Sequence, residues 1–453
     1  MENILGARPI NQLIAKFSVP AIISMLVGSI YNIVDQIFIG NGVEDIAIGA
    51  TTIAFPIVTV CIAAALLTGV GGASNYNIES GRGNQQLARY AAGSALFLMI
   101  AAGLVIMSGV LIFLTPILRF CGATDKLLAY SQTYAGITAC GLPFLILTSG
   151  GAHLIRADKN PNYSMICTLS GAILNTILDP LFIFVFKWGI AGAAWATVIG
   201  QAVSASLVAF YFLKRQNMGL QRQDLIPVWG RIKRVLALGS ASSINQVGML
   251  IVQILLNNQL TRYGALSIYG AEISVTCAGI VAKSGMIFMG IAIGISQGCQ
   301  PIWGFNYGAR NYGRVIETYE KAALLCVSIG AFFFMLFQLF PAQIISLFGV
   351  KSAAGTVFAM RYFRIFMFMT FINGLQPMSS GFFTSTGKAK LGIITSVTRN
   401  MVFFAPLVIV LPRFLGINGI MYAGPIADGA AAVIAISFAI WEIRKIRLSL
   451  NIQ

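Results

Sequence analysis

The residues of this sequence best suited to chemistry are two aspartates that stand among apolar neighbours. Asp35 lies in IYNIVDQIFIG (30–40), and Asp179 lies in LNTILDPLFIF (174–184). A carboxylate can bind and release a proton, and an apolar setting disfavours its charged form. Reversible protonation near neutral pH is therefore the chemistry that these two positions indicate.

Helical spacing gives each aspartate polar partners. In the first segment, steps of four, three and four residues place a polar stripe on one face, formed by Ser24, Gly28, Tyr31 and Asp35. Asn175 precedes Asp179 by one helical turn, and Thr197 follows in the next segment. Two stripes that each end in an aspartate predict a polar pocket inside a helix bundle.

Two prolines lie close to these stripes. Pro180 follows Asp179 directly, and Pro20 precedes the first stripe. Because proline has no backbone N–H, it loosens the helical hydrogen-bond ladder and gives a helix a place to bend. Pro20 is therefore predicted to be a hinge of the first helix.

The elements that hold these residues are predicted to be membrane-spanning helices. Of the 453 residues, 57% are hydrophobic and only 10% are charged, whereas soluble proteins carry about 25% charged residues. A spanning helix needs roughly 20 apolar residues. Twelve segments of suitable length lie near 14–40, 46–77, 88–116, 128–154, 162–186, 190–213, 235–260, 268–297, 318–348, 356–384, 390–411 and 417–441. Their continuous apolar runs predict an all-α integral membrane protein rather than an outer-membrane barrel.

The net charge of +16 is explained by the predicted membrane topology, so it does not indicate a nucleic-acid site. With both termini in the cytoplasm, 20 of the 30 Lys and Arg residues fall in cytoplasmic loops and ends, six fall outside and four lie within helices. This bias is the positive-inside rule, and it predicts that both termini are cytoplasmic.

The two halves of the chain share a pattern. GIAGAAWA (189–196) recurs as GINGIMYA (416–423), 227 residues later, and the same offset relates Gly81 and Asn84 to Gly308 and Asn311. The hydrophilic stretch 213–234 divides the segments six and six, so the halves are predicted to be parallel repeats with a site between them. We expect an N-terminal six-helix lobe at 1–222, which holds the cation-coupling site, and a C-terminal lobe at 223–453.

A third aspartate and a set of amides are weaker candidates. Asp428 lies within a predicted span among alanines, and a functional role and a helix–helix contact both remain open for it. Three amides share one face of the seventh segment and, together with a methionine of the eighth, are predicted to line a substrate cavity: Gln246, Gln253, Asn257 and Met286. Interhelical packing is the alternative for the amides.

Other reactive residues indicate no catalytic or metal site. The single histidine, His153, lies near a predicted helix end and is interpreted as an interfacial side chain. The seven cysteines are scattered, so neither a metal site nor a disulfide framework is predicted.

Several stretches, taken in order, resemble the multidrug and toxic compound extrusion (MATE) transporters, most closely the DinF-like branch. In the first half they are VP (19–20), YNIVDQIFIG (31–40), RADKNP (156–161), LNTILDP (174–180) and GIAGAAWAT (189–197). The second half adds QPIWGFNYGARN (300–311) and TGKAK (386–390). The resemblance therefore extends over nearly the whole chain.

This resemblance implies twelve helices in two pseudo-symmetric six-helix bundles around a central cleft. It implies export of organic, often cationic, compounds driven by inward flow of H⁺, or alternatively Na⁺, with no other cofactor. The implied cation site consists of Asp35, Tyr31, Asn175, Asp179 and Thr197, with the first-helix bend at Pro20. We expect a monomer in the plasma (inner) membrane of a prokaryote, with membrane lipid and small organic substrates as its partners.

Other functions fit less well. A flippase for lipid-linked sugars would need a cationic cavity, for which the candidates are Lys283, Arg361, Arg364 and Arg399. A channel would need a ring of selectivity groups along a pore, and an enzyme would need a catalytic partner for His153. The sequence therefore favours an antiporter, with the flippase as the alternative.

Overall fold

The computed structural model describes residues 4–42, 46–347 and 353–450, and within these ranges every regular element is a helix. In the described part of the chain, ten helices are long and apolar enough to cross a membrane, and two further spans are each made of two helices that meet at a bend, of 53° and 46°. The twelve predicted segments therefore each correspond to a helix or a bent pair of helices, which confirms the predicted fold class.

We number the spans in chain order. The first half contains α1 (Ile10–Gly42), α2 (Ile46–Gly81), α3 (Gln85–Ile112), α4 (Asp125–Ala139 with Leu142–Ala157), α5 (Pro161–Val185) and α6 (Gly189–Arg215). The second half contains α7 (Trp229–Ala265), α8 (Gly270–Gly308), α9 (Tyr312–Leu339), α10 (Gly355–Phe366 with Thr370–Ser385), α11 (Ala389–Leu415) and α12 (Ile417–Leu450).

The two halves meet where α2 packs on α7 and α8 packs on α1. A Cβ atom at Gly239 of α7 would lie 1.7 Å from the carbonyl oxygen of Leu67, and one at Gly71 of α2 would lie 2.0 Å from that of Val235. Only glycine permits so close an approach of two backbones. At this interface the backbones of the two halves are therefore in direct contact.

The contact between α8 and α1 repeats this arrangement. A Cβ atom at Gly298 would lie 2.5 Å from Ser18 Cα, and one at Gly294 would lie 2.7 Å from Ile22 Cα. Gly294 and Gly298 follow Leu67 and Gly71 at the offset of 227 residues seen in the sequence. The repeat is thus visible in the packing, and the glycine spacing of α8 serves helix contact.

The start of α1 packs in the core of the second half. Leu13 and Phe17 are fully buried in one apolar cluster with Trp303 of α8 and Phe382 of α10. Pro20 follows one turn later and is buried inside α1, which is helical on both sides of it. The rest of α1 packs against α5, so α1 links the two halves.

Candidate ion and substrate site

The structure brings the two predicted aspartates together. Asp35 is 7% exposed, Asp179 is fully buried, and their carboxyl groups are in hydrogen-bond contact. One oxygen of each carboxyl, Oδ1, has no hydrogen-bond partner among the described residues. Two carboxyl groups can share a hydrogen bond only when a proton lies between them, so this geometry is suited to binding protons.

Asn175 connects the pair to α6. With its amide nitrogen toward the carboxyl, Nδ2 lies 2.8 Å from Asp179 Oδ2 and donates a hydrogen bond to it. Its Oδ1 accepts from the backbone N–H of Thr197 at 2.9 Å and lies 3.2 Å from the Thr197 hydroxyl. The spacing of four residues from Asn175 to Asp179 on α5 makes the first contact possible.

Two tyrosines complete this group. Tyr31, which the sequence predicted, and Tyr134, which it did not, both lie beside the Thr197 side chain. Tyr134 lies on the first helix of α4, where polar residues are so frequent that spacing does not single it out. We call Asp35, Asp179 and the polar side chains bonded around them the carboxylate end of the site.

A cavity of about 440 Å³ extends from the carboxylate end, and both halves line it. The first half contributes Tyr31, Asn175 and Thr197, and the second half contributes Gln246 and Met286. This volume lies in the range of about 300–1,000 Å³ that is typical of sites for drug-sized ligands.

Two predicted cavity residues lie outside this space. Gln253 and Asn257 have exposed side chains and are not among the lining residues, and Gln253 Nε2 donates to Asn257 Oδ1 at 3.1 Å. They share a face of α7 with Gln246, but they lie two and three turns farther along the helix. The cavity ends before it reaches them.

The other end of the cavity carries a positive charge. The histidine predicted to be an interfacial side chain, His153, lies at this end. His153 and Arg156 are 6% and 4% exposed and both line the cavity, so His153 is not an interfacial side chain. Arg156 Nη1 donates to the Ser164 hydroxyl at 3.0 Å, and Nη2 lies 3.1 Å from His153 Nδ1. We call His153 and Arg156 the arginine end.

Asp428 forms an ion pair that the sequence did not reveal. Arg399 Nε donates to Asp428 Oδ1 at 2.6 Å, and Asn373 Nδ2 donates to Oδ2 at 3.1 Å. Arg399 also donates to Asn400 Oδ1 at 3.2 Å, so the pair belongs to a polar network of the second half. A buried charge with such partners is compensated, and the helix–helix contact is the role that this geometry supports.

No metal centre is evident in the described part of the chain, where no three His, Cys, Asp or Glu side chains converge. All seven cysteines are unpaired, and five of them are buried. The chemical groups of the site are therefore its carboxyls, hydroxyls and amides, the imidazole of His153 and the guanidinium of Arg156.

Comparison with known proteins supplies the family. The MatE family profile matches residues 20–181 and 243–410, which is most of both halves. The multidrug export protein MepA of Staphylococcus haemolyticus is 26% identical over 430 residues, which cover 95% of this chain and 93% of that protein. MepA of Staphylococcus aureus is 25% identical over 430 residues, with 94% and 93% covered.

A solved structure has the same fold. It is described as the outward-facing conformation of a multidrug resistance MATE family transporter, and it superposes with a TM-score of 0.91 over 99% of both chains at 23% identity. The family profile matches well over half of the sequence. These findings confirm a multi-pass membrane transporter rather than an enzyme, and the chain belongs to the MATE family.

Proposed function

We propose that this transporter is an antiporter that exports organic, often cationic, compounds in exchange for H⁺. The observation that carries the proposal is the hydrogen-bonded contact of Asp35 and Asp179 beside a drug-sized cavity. The names of the relatives, multidrug export proteins, support the substrate class. Na⁺ is the other candidate for the coupling ion.

The proposed exchange of substrate for H⁺ depends on the net charge of the carboxylate end, which changes when Asp35 and Asp179 bind or release a proton. When the pair is negatively charged, Asn175 and Tyr31 line the cavity next to that charge, and a cationic compound is attracted there. When a second proton makes the pair neutral, this attraction is lost. Proton and substrate then compete for the same charge, and competition of this kind couples two opposite flows.

Movement requires that the two states of the pair favour different conformations, because a ligand shifts an equilibrium only through its differential affinity. Pro20 lies in α1 one turn before Ser24, whose hydroxyl donates to the Pro20 carbonyl oxygen at 2.9 Å, and three turns before Tyr31. Neutralisation changes the hydrogen bonds of α1 and α5, and we propose that α1 bends at Pro20 in response. The cavity then narrows and releases its substrate.

The assignment of these roles to the two halves is part of the proposal. Residues 1–222 would hold the ion site, and residues 223–453 would form the second lobe, whose α7 carries amides in place of carboxylates. This division favours the DinF-like branch of the family. We further propose a monomer in a prokaryotic plasma membrane, surrounded by lipid and with both termini in the cytoplasm, as the distribution of Lys and Arg indicates.

A flippase of the same superfamily is less well supported. It would need cations to hold a phosphate, but Arg399 is paired with Asp428, and Lys283, Arg361 and Arg364 have exposed side chains and do not line the cavity. Among the described residues that line the cavity, only Arg156 carries a permanent positive charge. Movement of a lipid-linked sugar by the reconstituted protein, without export of cationic dyes, would favour this alternative.

The direct test is transport by the purified protein in liposomes, with a pH gradient and a Na⁺ gradient imposed separately. We expect efflux of a fluorescent organic cation that depends on the pH gradient and continues without Na⁺. Efflux that depends on the Na⁺ gradient alone would show that Na⁺, rather than H⁺, is the coupling ion. Absence of efflux under both gradients would refute the antiporter.

A further inference from the structure

We propose that a groove between α1 and α9 binds one anionic phospholipid, with its phosphate at the basic start of the two helices and an acyl chain along the groove. The groove shares no lining residue with the substrate cavity, so the proposal does not depend on antiport. Only its assignment to the cytoplasmic leaflet uses the proposed orientation. The basis is an apolar groove that ends at guanidinium and ammonium groups.

The groove has the size of a lipid chain. Its volume is about 470 Å³, and the described residues that line it all belong to α1 and α9. From Asn11 to Ile22, which both line it, α1 rises about 16 Å. This is about half of the roughly 30 Å hydrocarbon core, which is the depth of one leaflet. The apolar side chains along this length are Ile14, Ala15, Val19, Ile22, Leu324 and Leu325.

The end of the groove at the starts of α1 and α9 is basic. Lys321 lines the groove, and Arg314 lies two turns earlier on the same face of α9. Arg314 Nη2 donates to the carbonyl oxygens of Leu5 at 3.2 Å and of Arg8 at 2.5 Å, so the exposed Arg8 lies at this end as well.

These charges are only partly compensated. Lys321 pairs with Glu317 at 2.7 Å, but no carboxylate oxygen of the described residues lies within 4 Å of Arg8 or Arg314. Three positive charges therefore stand against one negative charge. Basic pockets between spanning helices on the cytoplasmic side are suited to anionic headgroups.

The internal repeat supplies an independent argument. The helices α3 (Gln85–Ile112) and α9 (Tyr312–Leu339) begin and end at the repeat offset of 227 residues. On α3 this surface is covered by the chain itself, since a Cβ atom at Gly93 would lie 2.2 Å from the Asp224 carbonyl oxygen. The Asp224 carboxylate is fully buried and lies 3.9 Å from Arg89 Nε. The first half thus covers α3 with a segment that brings a negative charge.

The matching surface of α9 is open. Gly93 corresponds to Glu320, which is exposed and precedes Lys321 of the groove. Because the described lining residues come only from α1 and α9, no described connecting segment fills the groove. A phospholipid supplies both an anion for the basic residues and an apolar chain for the groove.

The test is titration of the purified protein in detergent with phosphatidylglycerol and with phosphatidylcholine of the same acyl chains, with bound lipid counted by native mass spectrometry. Each basic residue near a headgroup favours an anionic lipid by about fivefold. The excess of two positive charges therefore predicts a preference of about 25-fold for one molecule of phosphatidylglycerol. Arg8→Gln combined with Lys321→Gln removes this excess, so the two lipids should bind equally. Lys233→Gln, at an exposed position of α7, is the control and should keep the preference.

A second variant tests the groove rather than the charge. Ala15→Phe adds a ring to the groove from an exposed position and should lower the affinity for phosphatidylglycerol about tenfold, because the acyl chain loses its apolar contact. Val105→Phe, at a position of α3 that is 70% exposed, should not change it.

Three results would overturn the site: equal binding of both lipids by the wild type, loss of the preference in Lys233→Gln, or unchanged binding in Ala15→Phe. Full competition by soluble glycerol phosphate would also overturn it, because a headgroup without a chain has no use for the groove.

Discussion

The close contact of α2 with α7 predicts the effect of adding one methyl group. In Gly239→Ala the new Cβ would lie 1.7 Å from the Leu67 carbonyl oxygen, whereas ordinary contact begins near 3.4 Å. Because backbone atoms cannot rotate away, α2 and α7 would have to separate by about 1.7 Å at this point to restore ordinary contact. Overpacking of this kind typically costs about 1–3 kcal/mol. This penalty applies only to the conformation in which α2 and α7 are in contact at this point.

A penalty that applies to one conformation shifts the population toward the other. A cost of about 1–3 kcal/mol changes the ratio of two states by roughly 5- to 150-fold. Gly239→Ala should therefore favour a conformation in which the halves have separated at this interface. Gly230→Ala, on the same helix, is the matched control, because a Cβ there would have no atom within 4 Å.

The assay is a distance measurement between spin labels on the two halves. Gln86→Cys and Gly313→Cys are exposed positions at the starts of α3 and α9, related by the repeat offset. Cys121 and Cys140, which are the cysteines not fully buried, would be replaced first. We expect a longer distance to gain population in Gly239→Ala and not in Gly230→Ala. Identical distributions in the wild type and both variants would refute the account of this interface.

Three further predictions concern single residues. Pro20→Ala should keep substrate affinity in detergent while slowing efflux from vesicles, because it restores a backbone donor and stiffens α1; unchanged efflux would rule out the hinge. Asp428→Asn leaves Arg399 without its counter-charge and should lower stability in detergent by about 3 kcal/mol. Its export per inserted molecule should stay close to that of the wild type, and Arg399→Gln in the same chain should recover part of the stability; loss of export from well-folded Asp428→Asn would place the ion site in the second half. Burial raises the pKa of Asp158 to about 6, above its ordinary value. The folded state then binds more protons than the unfolded state between pH about 4 and 6, so stability should fall as pH rises through this window. Asp158→Asn should abolish this dependence in thermal unfolding, and an unchanged pH profile would contradict the assignment.

Much of this structure can be predicted from composition and from the spacing of residues within single helices. The apolar segments follow from composition, and the partnership of Asn175 with Asp179 follows from a separation of one helical turn. Gly294 and Gly298 of α8 carry a signal of the same kind, since small residues at a spacing of four let backbones approach. His153 and Arg156 had the same kind of signal, a separation of three residues, which places them on one face of α4.

Contacts between residues of different helices had no such signal. Arg399 and Asp428 lie 29 residues apart on neighbouring helices, and Tyr134 lies beside Thr197 from a helix whose many polar residues do not single it out. Helical spacing tells which residues share a face but not how far along the helix a cavity extends. This is why Gln246 lines the cavity and Gln253 does not.

The central claim is that proton and substrate compete for the charge of the Asp35–Asp179 pair. The most direct measurement is proton release when a saturating organic cation binds to the purified protein in weakly buffered detergent solution containing a pH indicator. At a pH at which the pair holds two protons, we predict that the wild type releases about one proton for each cation bound, since the pair must be charged to hold the cation. The double variant Asp35→Asn/Asp179→Asn, which has no carboxyl to deprotonate, should release none. Cation binding by the wild type without proton release at this pH, or release by the double variant equal to that of the wild type, would contradict the account.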